Sequence, residues 1–453
     1  MMRTKSGRNT VANAVPMEEW CEGYVWCQFE DKFVHIDTQE AVSVTSFNAE
    51  HGRDVKNKWM TPEGFQMQAT HVALQELQIP VVARRMYLPW AETLFEQEGL
   101  DYLNRYRPST VPDSKPSIDW TGAQREAVEM VKDHIERICG NEARSTMLWM
   151  AQNVQNPGRK IRWSVLIKGT YGDGKSLLGT IMELVMGQAN VGKASPKVVN
   201  SDFNGWAEGH CVCLLEELRM QGHNRHDVAN SLKELHTNDT VTIHRKGLDS
   251  YVVCNTQNYM AFTNYADAVP IDDSDRRWFV IFSPFNSEED LNVVGMNTQY
   301  FDALFDAIRS NVEVIRGWFL EMDMNGFNPN GRAPDSAAKR AMVAAGKHEE
   351  DEAIEDLIAA KVVGISADVI STSHLTNQLR LLPNPIEMQG RSVAIALSRM
   401  GFIRKASQLK WRGEVRRVWV KDISSVTNNE AIKAMLDRTT LHETYEADIE
   451  IPF

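Results

Sequence analysis

The pattern of apolar and polar positions divides the chain into three predicted domains. In the first, residues 1–115, short aromatic and β-branched runs (YVWCQF, KFVHI and AVSVTSF) alternate with polar breaks and precede a more helical stretch that ends at LDYLNRY. This pattern predicts a small α+β domain. RPSTVPDSKP, residues 107–116, concentrates proline, serine and aspartate without apolar periodicity, and we predict a linker there.

The second predicted domain, residues 121–345, has the pattern of an α/β core surrounded by helices. Apolar residues at helical spacing predict two helices before residue 156, and strand-length apolar runs then alternate with helical patterns over residues 161–285. FDALFDAIRSNVEVIRGWFLEM predicts further helices after this core. We therefore expect an α/β fold with a helical annex in the middle of the chain.

The third predicted domain, residues 346–453, follows a break at NGFNPNGRAPD. Its sequence holds three helical segments, EEDEAIEDLIAAKVV, STSHLTNQLRLL and GRSVAIALSRMG, and then FIRKASQLKWRGEVRRVWVKD, which alternates like a hairpin that turns near Gly413. Three helices followed by a hairpin predict a winged helix-turn-helix, which binds DNA. Because winged helices also bind proteins, that second role stays open.

Composition narrows the class of protein. A chain of 453 residues with 43% hydrophobic and 24% charged residues is typical of a globular protein with several cores. The six cysteines show neither paired C-x-x-C spacing nor a disulfide framework, which fits a reducing cytosol. No apolar run approaches the roughly 20 residues of a membrane span, so we expect no membrane contact and a cytoplasmic location.

Charge is distributed unevenly. The formal net charge of −12 argues against nucleic-acid binding over the whole surface. Between residues 391 and 421, however, cations are opposed only by Glu414, and such a local reversal is typical of a phosphate-binding surface. We predict packing within the hairpin, rather than base stacking, for Trp411 and Trp419. The predicted DNA contacts of this domain are Arg391, Arg399, Lys410, Arg412, Arg416 and Arg417.

The segment GTYGDGKS, residues 169–176, fits the pattern G-x-x-x-x-G-K-[ST] between a predicted strand, WSVLIK, and a predicted helix, SLLGTIMELVMG. Phosphates are held by exposed backbone N–H groups, a helix N-terminus, a cation and a hydroxyl that binds Mg²⁺. Lys175 would reach the β and γ phosphates of ATP, and Ser176 would bind Mg²⁺. The alternative is an ordinary glycine turn before a helix. The predicted ATP contacts are Gly169, Gly172, Asp173, Gly174, Lys175, Ser176 and Leu177.

Two glutamates follow the next predicted buried strand, in HCVCLLEELR. Adjacent carboxylates point to different sides of a strand end, so one can face Mg²⁺ and the other the attacking water. We assign Glu216 to the metal and Glu217 to the catalytic base. A surface pair that caps the following segment is the alternative.

Two more polar groups complete the candidate ATPase chemistry. YMAFTN predicts a third strand that ends in Thr263 and Asn264, whose amide could bind the γ-phosphate or the water. Arg276 and Arg277 precede another apolar strand, and an arginine there could stabilise charge on the γ-phosphate from within the subunit or from a neighbour. An ion pair with Asp272, Asp273 or Asp275 is the alternative, and it applies more to Arg276, so we favour Arg277 as the residue that acts on the γ-phosphate.

These four motifs resemble the superfamily 3 helicases, specifically the C-terminal motor of phage and poxvirus primase-helicases. GTYGDGKS corresponds to Walker A, LLEE to Walker B, AFTN to the motif with the sensor asparagine, and DRRWF to the arginine finger. The resemblance implies a P-loop AAA+-like core. The family also carries a hairpin with a basic tip, and VTIH and SYVVC resemble its two arms. The predicted tip contacts to DNA are His244, Arg245 and Lys246, although basic hairpin tips are also common as solvated turns.

The resemblance implies an ATP-driven replicative helicase of a phage or mobile element that forms a ring, expected to be a hexamer, and moves along single-stranded or forked DNA. A loader that assembles on DNA without unwinding it shares every ATPase residue, and a DNA-binding regulator with an inert loop is a third reading. The sequence has neither paired acids suited to two metals nor a zinc motif, so we expect any priming to come from a separate primase or polymerase.

Overall fold

The computed structural model describes residues 16–439 except 200, 202, 221–224, 248, 273, 346–348, 383–384, 423 and 425–426. Contacts divide the chain into two compact units, Met1–Gly346 and Lys347–Phe453. The first unit therefore contains both the predicted α+β region and the predicted α/β core. Within the described residues, no helix has the length and apolar character that a bilayer crossing requires.

The N-terminal part of the first unit is built on two small sheets. One sheet has the strand order β3-β2-β1-β4 and the other β5-β7-β6. The strands are β1 (Tyr24–Cys27), β2 (Lys32–His35), β3 (Ala41–Ser43), β4 (Val81–Val82), β5 (Arg84–Met86), β6 (Leu94–Gln97) and β7 (Leu100–Asn104), and the helices are α1 (Val44–His51) and α2 (Ala69–His71), which continues as a π-helical turn, Val72–Glu76.

Two local predictions in this part were wrong. The run AVSVTSF is a strand only to Ser43, whose side chain accepts a hydrogen bond from the Ser46 amide at 3.1 Å and so caps the N-terminus of α1. The stretch that ends at LDYLNRY is strand, not helix. Glu98 and Gly99 both have positive φ, 54° and 80°, which is the geometry of a tight hairpin turn between β6 and β7.

A five-stranded parallel sheet forms the centre of the first unit, in the order β14-β8-β13-β10-β9. Its strands are β8 (Ser164–Lys168), β9 (Val191–Ala194), β10 (Val212–Leu215), β13 (Asn258–Thr263) and β14 (Trp278–Phe282), and β11 (Thr240–Ile243) pairs with β12 (Tyr251–Cys254) in a separate hairpin. The helices are α3 (Gly122–Cys139), α4 (Ala143–Gln155), α5 (Leu177–Met186), α6 (Pro196–Val199), α7 (Arg225–Thr237), α8 (Glu288–Val293), α9 (Thr298–Ser310), α10 (Val312–Glu321) and α11 (Ala337–Ala345).

Both faces of the central sheet are covered, which explains why its strands are continuous apolar runs. Val165 and Ile167 face a core that α3, α4, α5, α9 and α10 complete. Leu166, between them, faces the opposite core with residues of α7. The two helices predicted before residue 156 are confirmed as α3 and α4, and a capping box at Thr121 and Gln124 fixes the start of α3.

The second unit contains the three predicted helices and the hairpin, together with a strand, Val369–Ser371, and a fourth helix, Asn429–Arg438, that were not predicted. Its helices are α12 (Glu349–Ala359), α13 (Thr372–Leu381), α14 (Gly390–Arg399) and α15 (Asn429–Arg438), and its strands are β15 (Val369–Ser371), β16 (Ile403–Arg404), β17 (Leu409–Trp411), β18 (Glu414–Arg416) and β19 (Val418–Val420). Strand β15 pairs with β19, which also pairs with β16, and β17 pairs with β18. The hairpin turns at Arg412 and Gly413, both with positive φ.

Candidate nucleotide-binding site

The glycine loop, residues 169–176, joins the C-terminal end of β8 to the N-terminus of α5. Gly172 and Gly174 have φ values of 77° and 83°, so the loop uses backbone conformations that side chains disfavour. A Cβ on Gly174 would lie 2.6 Å from the His134 ring, and one on Gly169 would lie 1.9 Å from Asp173 Oδ2. The glycines are therefore required by conformation and by space.

Lys175 is held against its own loop. Its Nζ donates to the carbonyl oxygen of Thr170 at 2.7 Å and lies 3.5 Å from Asp173 Oδ1. The fully buried Asp173 carboxylate also accepts from the Lys175 amide at 3.1 Å, while its second oxygen has no hydrogen-bond partner. Ser176, at the first turn of α5, is exposed. The lysine bonds are thus local ones that a phosphate oxygen can replace.

The two glutamates form a turn directly after β10. Glu217 is exposed and has φ 50°, a left-handed conformation that is uncommon for a side chain of this kind and is often found at functional sites. Glu216 is half-buried, and its Oε1 lies 4.0 Å from Lys193 Nζ on β9, which also pairs with Glu183 of α5 at 3.0 Å. The two carboxylates therefore have different surroundings.

The polar end of β13 lies between the glycine loop and the glutamates. Thr263 O accepts a hydrogen bond from the Gly169 amide at 3.1 Å, and Phe262 O accepts one from the Leu218 amide at 2.7 Å. Asn264 follows, and its buried Oδ1 has no hydrogen-bond partner. An unpaired buried polar oxygen costs free energy unless a ligand or water satisfies it.

Strand register fixes how these groups come together. Lys168 at the end of β8 is opposite Thr263, and Leu215 at the end of β10 is opposite Ala261. The carboxyl ends of β8, β13 and β10 therefore meet at one edge of the sheet, which we call the carboxyl edge. In open parallel sheets this edge is where ligands bind.

Arg276 and Arg277 lie at the opposite, amino edge of the same sheet. Trp278, the first residue of β14, is opposite Ser164, the first residue of β8, and the Ser164 amide donates to Arg277 O at 2.8 Å. Five residues of strand, about 16 Å, separate this level from the start of the glycine loop. Neither arginine can therefore reach the glycine loop of its own chain.

The two arginines differ in their surroundings. Arg277 Nη1 lies 3.8 Å from Asp275 Oδ2, which is the ion pair considered as the alternative, and its buried Nε has no hydrogen-bond partner. Arg276 is exposed. Asp275 is buried and also accepts from the Arg277 amide at 2.8 Å. Arg276 is thus the more accessible of the two, although the sequence argument favoured Arg277.

One functional contact of the loop was not anticipated. His134 of α3 is fully buried, and its Nε2 lies 3.1 Å from Gly174 O, while Nδ1 lies 3.1 Å from the Tyr300 hydroxyl. A carbonyl oxygen only accepts, so Nε2 carries the proton and Nδ1 accepts from Tyr300. Burial lowers the pKa of His134, which favours this neutral form. In the sequence His134 only interrupts an apolar helical stripe.

The residues present fit a magnesium-bound nucleotide. The loop offers backbone amides, Lys175 and the Ser176 hydroxyl, and the edge adds a carboxylate pair and the unpaired Asn264 oxygen. Among the described residues there is no group of three or more histidine, cysteine or acidic side chains that could hold a metal. Mg²⁺ usually takes one or two protein ligands and relies on phosphates and water for the others.

The predicted DNA contacts at the hairpin tip fall into two groups. His244 and Lys246 are exposed, and the positive φ of Gly247, 78°, helps to form the turn. Arg245 instead forms an ion pair with Glu208. Asn204 holds the start of the tip, since its Oδ1 accepts from the His244 amide at 2.7 Å. Of the three predicted tip contacts, His244 and Lys246 are therefore the exposed ones without an ion pair among the described residues.

The predicted DNA contacts of the second unit also fall into two groups: arginines bound to other side chains of the fold, and cations that are exposed. Arg399 binds Asp351 through two hydrogen bonds of 2.7 and 2.5 Å, and Arg416 binds Ser373 at 2.8 Å and Glu414 at 2.8 Å. Those two side chains are engaged within the fold. Trp411 and Trp419 are buried, which confirms their predicted packing role. The remaining predicted cations are exposed: Arg391, Lys410, Arg412 and Arg417.

These features define an α/β protein whose glycine loop lies at the carboxyl edge of a parallel sheet. A family described as "Family of unknown function (DUF5906)" matches residues 167–277, which include the loop, both glutamates and both arginines. The DNA primase-polymerase of Nitratiruptor phage NrS-1 is 28% identical to the chain over 200 residues. Those residues are 43% of this chain and 27% of that protein, so the match spans about a quarter of the relative.

Solved structures of part of the same phage protein share the fold. The apo structure of the NrS-1 C terminal region has a TM-score of 0.58 at 16% identity and covers 88% of this chain and 95% of that one. Its A form has a TM-score of 0.57 at 15% identity over 87% and 95%. At such identities the structural likeness shows the fold alone. Together, the comparisons relate this chain to a phage replication protein.

Proposed function

We propose that this chain is the ATP-driven motor of a phage DNA-replication system, a ring-forming helicase with a superfamily 3, AAA+-like core. One observation carries the proposal: three adjacent parallel strands bring Lys175, the glutamate pair and the unpaired oxygen of Asn264 to one edge. The similarity to a phage DNA primase-polymerase supports a role in replication. The resemblance of the four motifs to helicases supports a motor.

In this proposal the chain's own groups divide the work on ATP. Lys175 exchanges its bond to Thr170 for the β and γ phosphates. Ser176 and Glu216 would hold Mg²⁺, which supplies charge neutralisation on the phosphates. Glu217 accepts a proton from the attacking water, and Asn264 orients that water or the γ-phosphate.

An arginine must come from a second copy of the chain. Because Arg276 and Arg277 lie at the amino edge, a neighbour in a ring would have to present its amino edge to this carboxyl edge. Such head-to-tail contacts close into rings, and we propose a hexamer. Hydrolysis at each junction would then depend on two subunits.

DNA contacts are proposed on both units. In a ring, the exposed His244 and Lys246 of each hairpin tip would line the channel and follow a single strand. Helices α12, α13 and α14 and the β17–β18 hairpin of the second unit form a winged helix in this proposal. Its exposed cations, Arg391, Lys410, Arg412 and Arg417, would contact phosphates.

Two assays, one of ATP hydrolysis and one of strand displacement, test the function. The wild type should hydrolyse ATP faster with single-stranded DNA and displace a strand from a forked duplex, whereas Lys175→Ala should do neither while keeping its fold and its DNA binding. Lys246→Ala should keep basal hydrolysis and lose unwinding. ATP-dependent assembly on DNA without strand displacement would instead support a loader, and absence of hydrolysis would defeat both readings.

A further inference from the structure

A cleft of about 400 Å³ lies between the N-terminal sheets and the β11–β12 hairpin, away from the glycine loop. We call it the basic cleft, because cations outnumber carboxylates in its wall by five to two. The carboxylates are Glu30 and Glu208. The cations come from both sides of the cleft, and they are Lys32, Arg84, Arg85, Arg105 and Arg245.

Both carboxylates of the basic cleft are already paired. Glu30 accepts two hydrogen bonds from Arg85, at 2.7 and 2.6 Å. Glu208 binds Arg245 and accepts from the Tyr251 hydroxyl at 2.5 Å. Two-point arginine–carboxylate pairs are strong and leave little negative charge available to other cations. The cleft therefore keeps the positive charge of its other three cations.

Arg105 is one of those three cations. Its side chain is half-buried in the wall of the cleft, and its guanidinium makes no hydrogen bond to any of the described residues. Burial lowers the pKa of Arg105; the charge of Glu208 raises it, and the charges of Arg85 and Arg245 lower it again. An anion in the cleft would give this guanidinium charged hydrogen-bond acceptors in place of water. Lys32 and Arg84 also have no carboxylate partner within the described part of the chain.

An exposed aromatic ring stands at the same place. Phe29 is 46% exposed, and its ring packs edge-on against Tyr251 with centroids 5.3 Å apart. That contact holds one side of the ring and leaves another side in solvent. Aromatic rings beside a line of cations are typical of grooves that bind single-stranded nucleic acid, because bases stack on the rings while phosphates contact the cations.

We propose that the basic cleft binds a short stretch of single-stranded DNA, with phosphates on Lys32, Arg84 and Arg105 and a base stacked on Phe29. The cleft reaches the hairpin through Arg245, so a strand held there would lie beside the proposed tip contacts. Only the choice of DNA over free phosphate rests on the proposed function. The charge and the aromatic ring of the cleft do not depend on it.

A charge reversal at the rim tests the cleft without disturbing its paired groups. Lys32→Glu/Arg84→Glu should weaken binding of a fluorescein-labelled oligo-dT at least tenfold, measured by anisotropy without nucleotide. The slope of log K against log salt should become shallower by about 1.4, which corresponds to two lost phosphate contacts. Arg53→Glu/Lys56→Glu is the matched control, since it makes the same charge change at exposed residues outside the cleft.

The control variant should bind within about twofold of the wild type. Equal losses in the two variants, or unchanged binding in the cleft variant with a native circular dichroism spectrum, would overturn the proposal. Lys175→Ala, tested in parallel, separates this site from the motor: it should bind oligo-dT normally. A chain without ATPase activity whose DNA binding still depends on the cleft would support the cleft and defeat the helicase.

A second variant distinguishes a DNA strand from free phosphate. Phe29→Ala should lower oligo-dT affinity about tenfold, as expected for loss of one stacked base. It should leave unchanged the concentration of inorganic pyrophosphate that competes with the oligomer for the cleft. If Phe29→Ala has no effect, and pyrophosphate competes as well as an oligomer with the same number of phosphates, the site binds free phosphate and the strand proposal is wrong.

Discussion

The two edges of the central sheet carry different kinds of polar groups. The carboxyl edge brings together the glycine loop, two glutamates and an asparagine oxygen without a partner. The amino edge carries the two arginines, about 16 Å away along the strands. In the proposed function the carboxyl edge binds ATP and activates water, and the amino edge supplies the cation that such reactions need at the γ-phosphate.

Under the proposed function, this separation makes a single copy of the chain an incomplete ATPase. The sheet is rigid and buried on both faces, so no side-chain rotation brings the edges together. A second copy of the chain can do so by placing its amino edge against the first chain's carboxyl edge. The predictions below test that division, from the largest expected effect to the smallest.

Removing the arginines should have the largest effect. Arg276→Ala/Arg277→Ala should lower the rate of ATP hydrolysis by about 10³, because an arginine finger contributes roughly 10³ to 10⁵ to the rate. Nucleotide affinity should change little, because the arginines lie at the amino edge, away from the glycine loop of their own chain. The single variants identify the finger, and the exposed Arg276 is expected to matter at least as much as Arg277. Stopped-flow phosphate release and binding of a fluorescent nucleotide measure the two quantities.

Arg162→Ala is the control for that edge. Arg162 lies just before β8 and binds Asp239 at 2.6 Å, so it is an arginine of the amino edge with a structural partner. Its loss should leave hydrolysis within about twofold of wild type. A similar loss in this variant would show that any change at the amino edge disrupts activity.

Glu217→Gln should slow hydrolysis by about 10²- to 10³-fold, within the usual contribution of a general base. Glutamine keeps the shape and the exposed position, so ATP binding should be retained and ATP should stay bound longer. Glu216→Gln should instead raise the Mg²⁺ concentration needed for half-maximal activity. Steady-state ATPase titrations in Mg²⁺ measure both effects. If Glu217→Gln raised the Mg²⁺ requirement and Glu216→Gln slowed hydrolysis at saturating Mg²⁺, Glu217 would be the metal ligand and Glu216 the base.

Asn264→Ala should lower the rate about 10²-fold, comparable to the loss of one transition-state hydrogen bond. The same change removes a buried oxygen without a partner, so the free energy of unfolding should stay the same or rise. Thermal melting with and without nucleotide separates the two effects. A large loss of stability without nucleotide would mean that Asn264 has a structural partner in solution.

The smallest expected effect is on the pH dependence of stability. It comes from buried histidines, which lie at both edges of the central sheet. Burial lowers the pKa of His134 beside the glycine loop and of His236, which packs on Trp278 at the start of β14. His210 is lowered to about 4. Below about pH 6.5 the unfolded chain takes up protons that these residues exclude, so stability should fall as pH falls. For His210 the loss between pH 6.5 and 5.5 is about 1 kcal/mol.

Urea unfolding at a series of pH values checks this prediction. In His134→Asn the amide can still donate to Gly174 O, and the slope of stability against pH should become shallower. A slope identical to that of the wild type would mean that His134 is protonated in the folded protein. A flat wild-type profile would contradict the prediction for all three histidines.

Much of the α/β region was predictable because its signals are local. GTYGDGKS fixes a strand, a loop and a helix within a few residues, and the apolar runs that end in Glu216 and Thr263 mark buried strands. Sheet order and register depend on long-range pairing, so the sequence could not place Arg276 and Arg277 at the edge opposite the loop. It left open whether the arginine acts within the chain.

Side-chain partners were predicted less well than backbone elements. Arg245, Arg399 and Arg416 belong to basic segments, yet the structure engages each with a carboxylate, from Glu208, Asp351 and Glu414. Two of those carboxylates are distant in sequence. The hairpin of β6 and β7 was missed although Glu98–Gly99 is a turn signal, because the surrounding leucine spacing also suits a helix.

Mixing two inactive variants tests the central claim most directly. Lys175→Ala keeps the amino edge intact, and Arg276→Ala/Arg277→Ala keeps the carboxyl edge intact. If hydrolysis occurs between copies of the chain, the mixture should regain ATPase activity, up to about a quarter of wild type at equal amounts if subunits assort at random. No recovery, although the two variants are shown to assemble together, would contradict a site shared between neighbouring subunits.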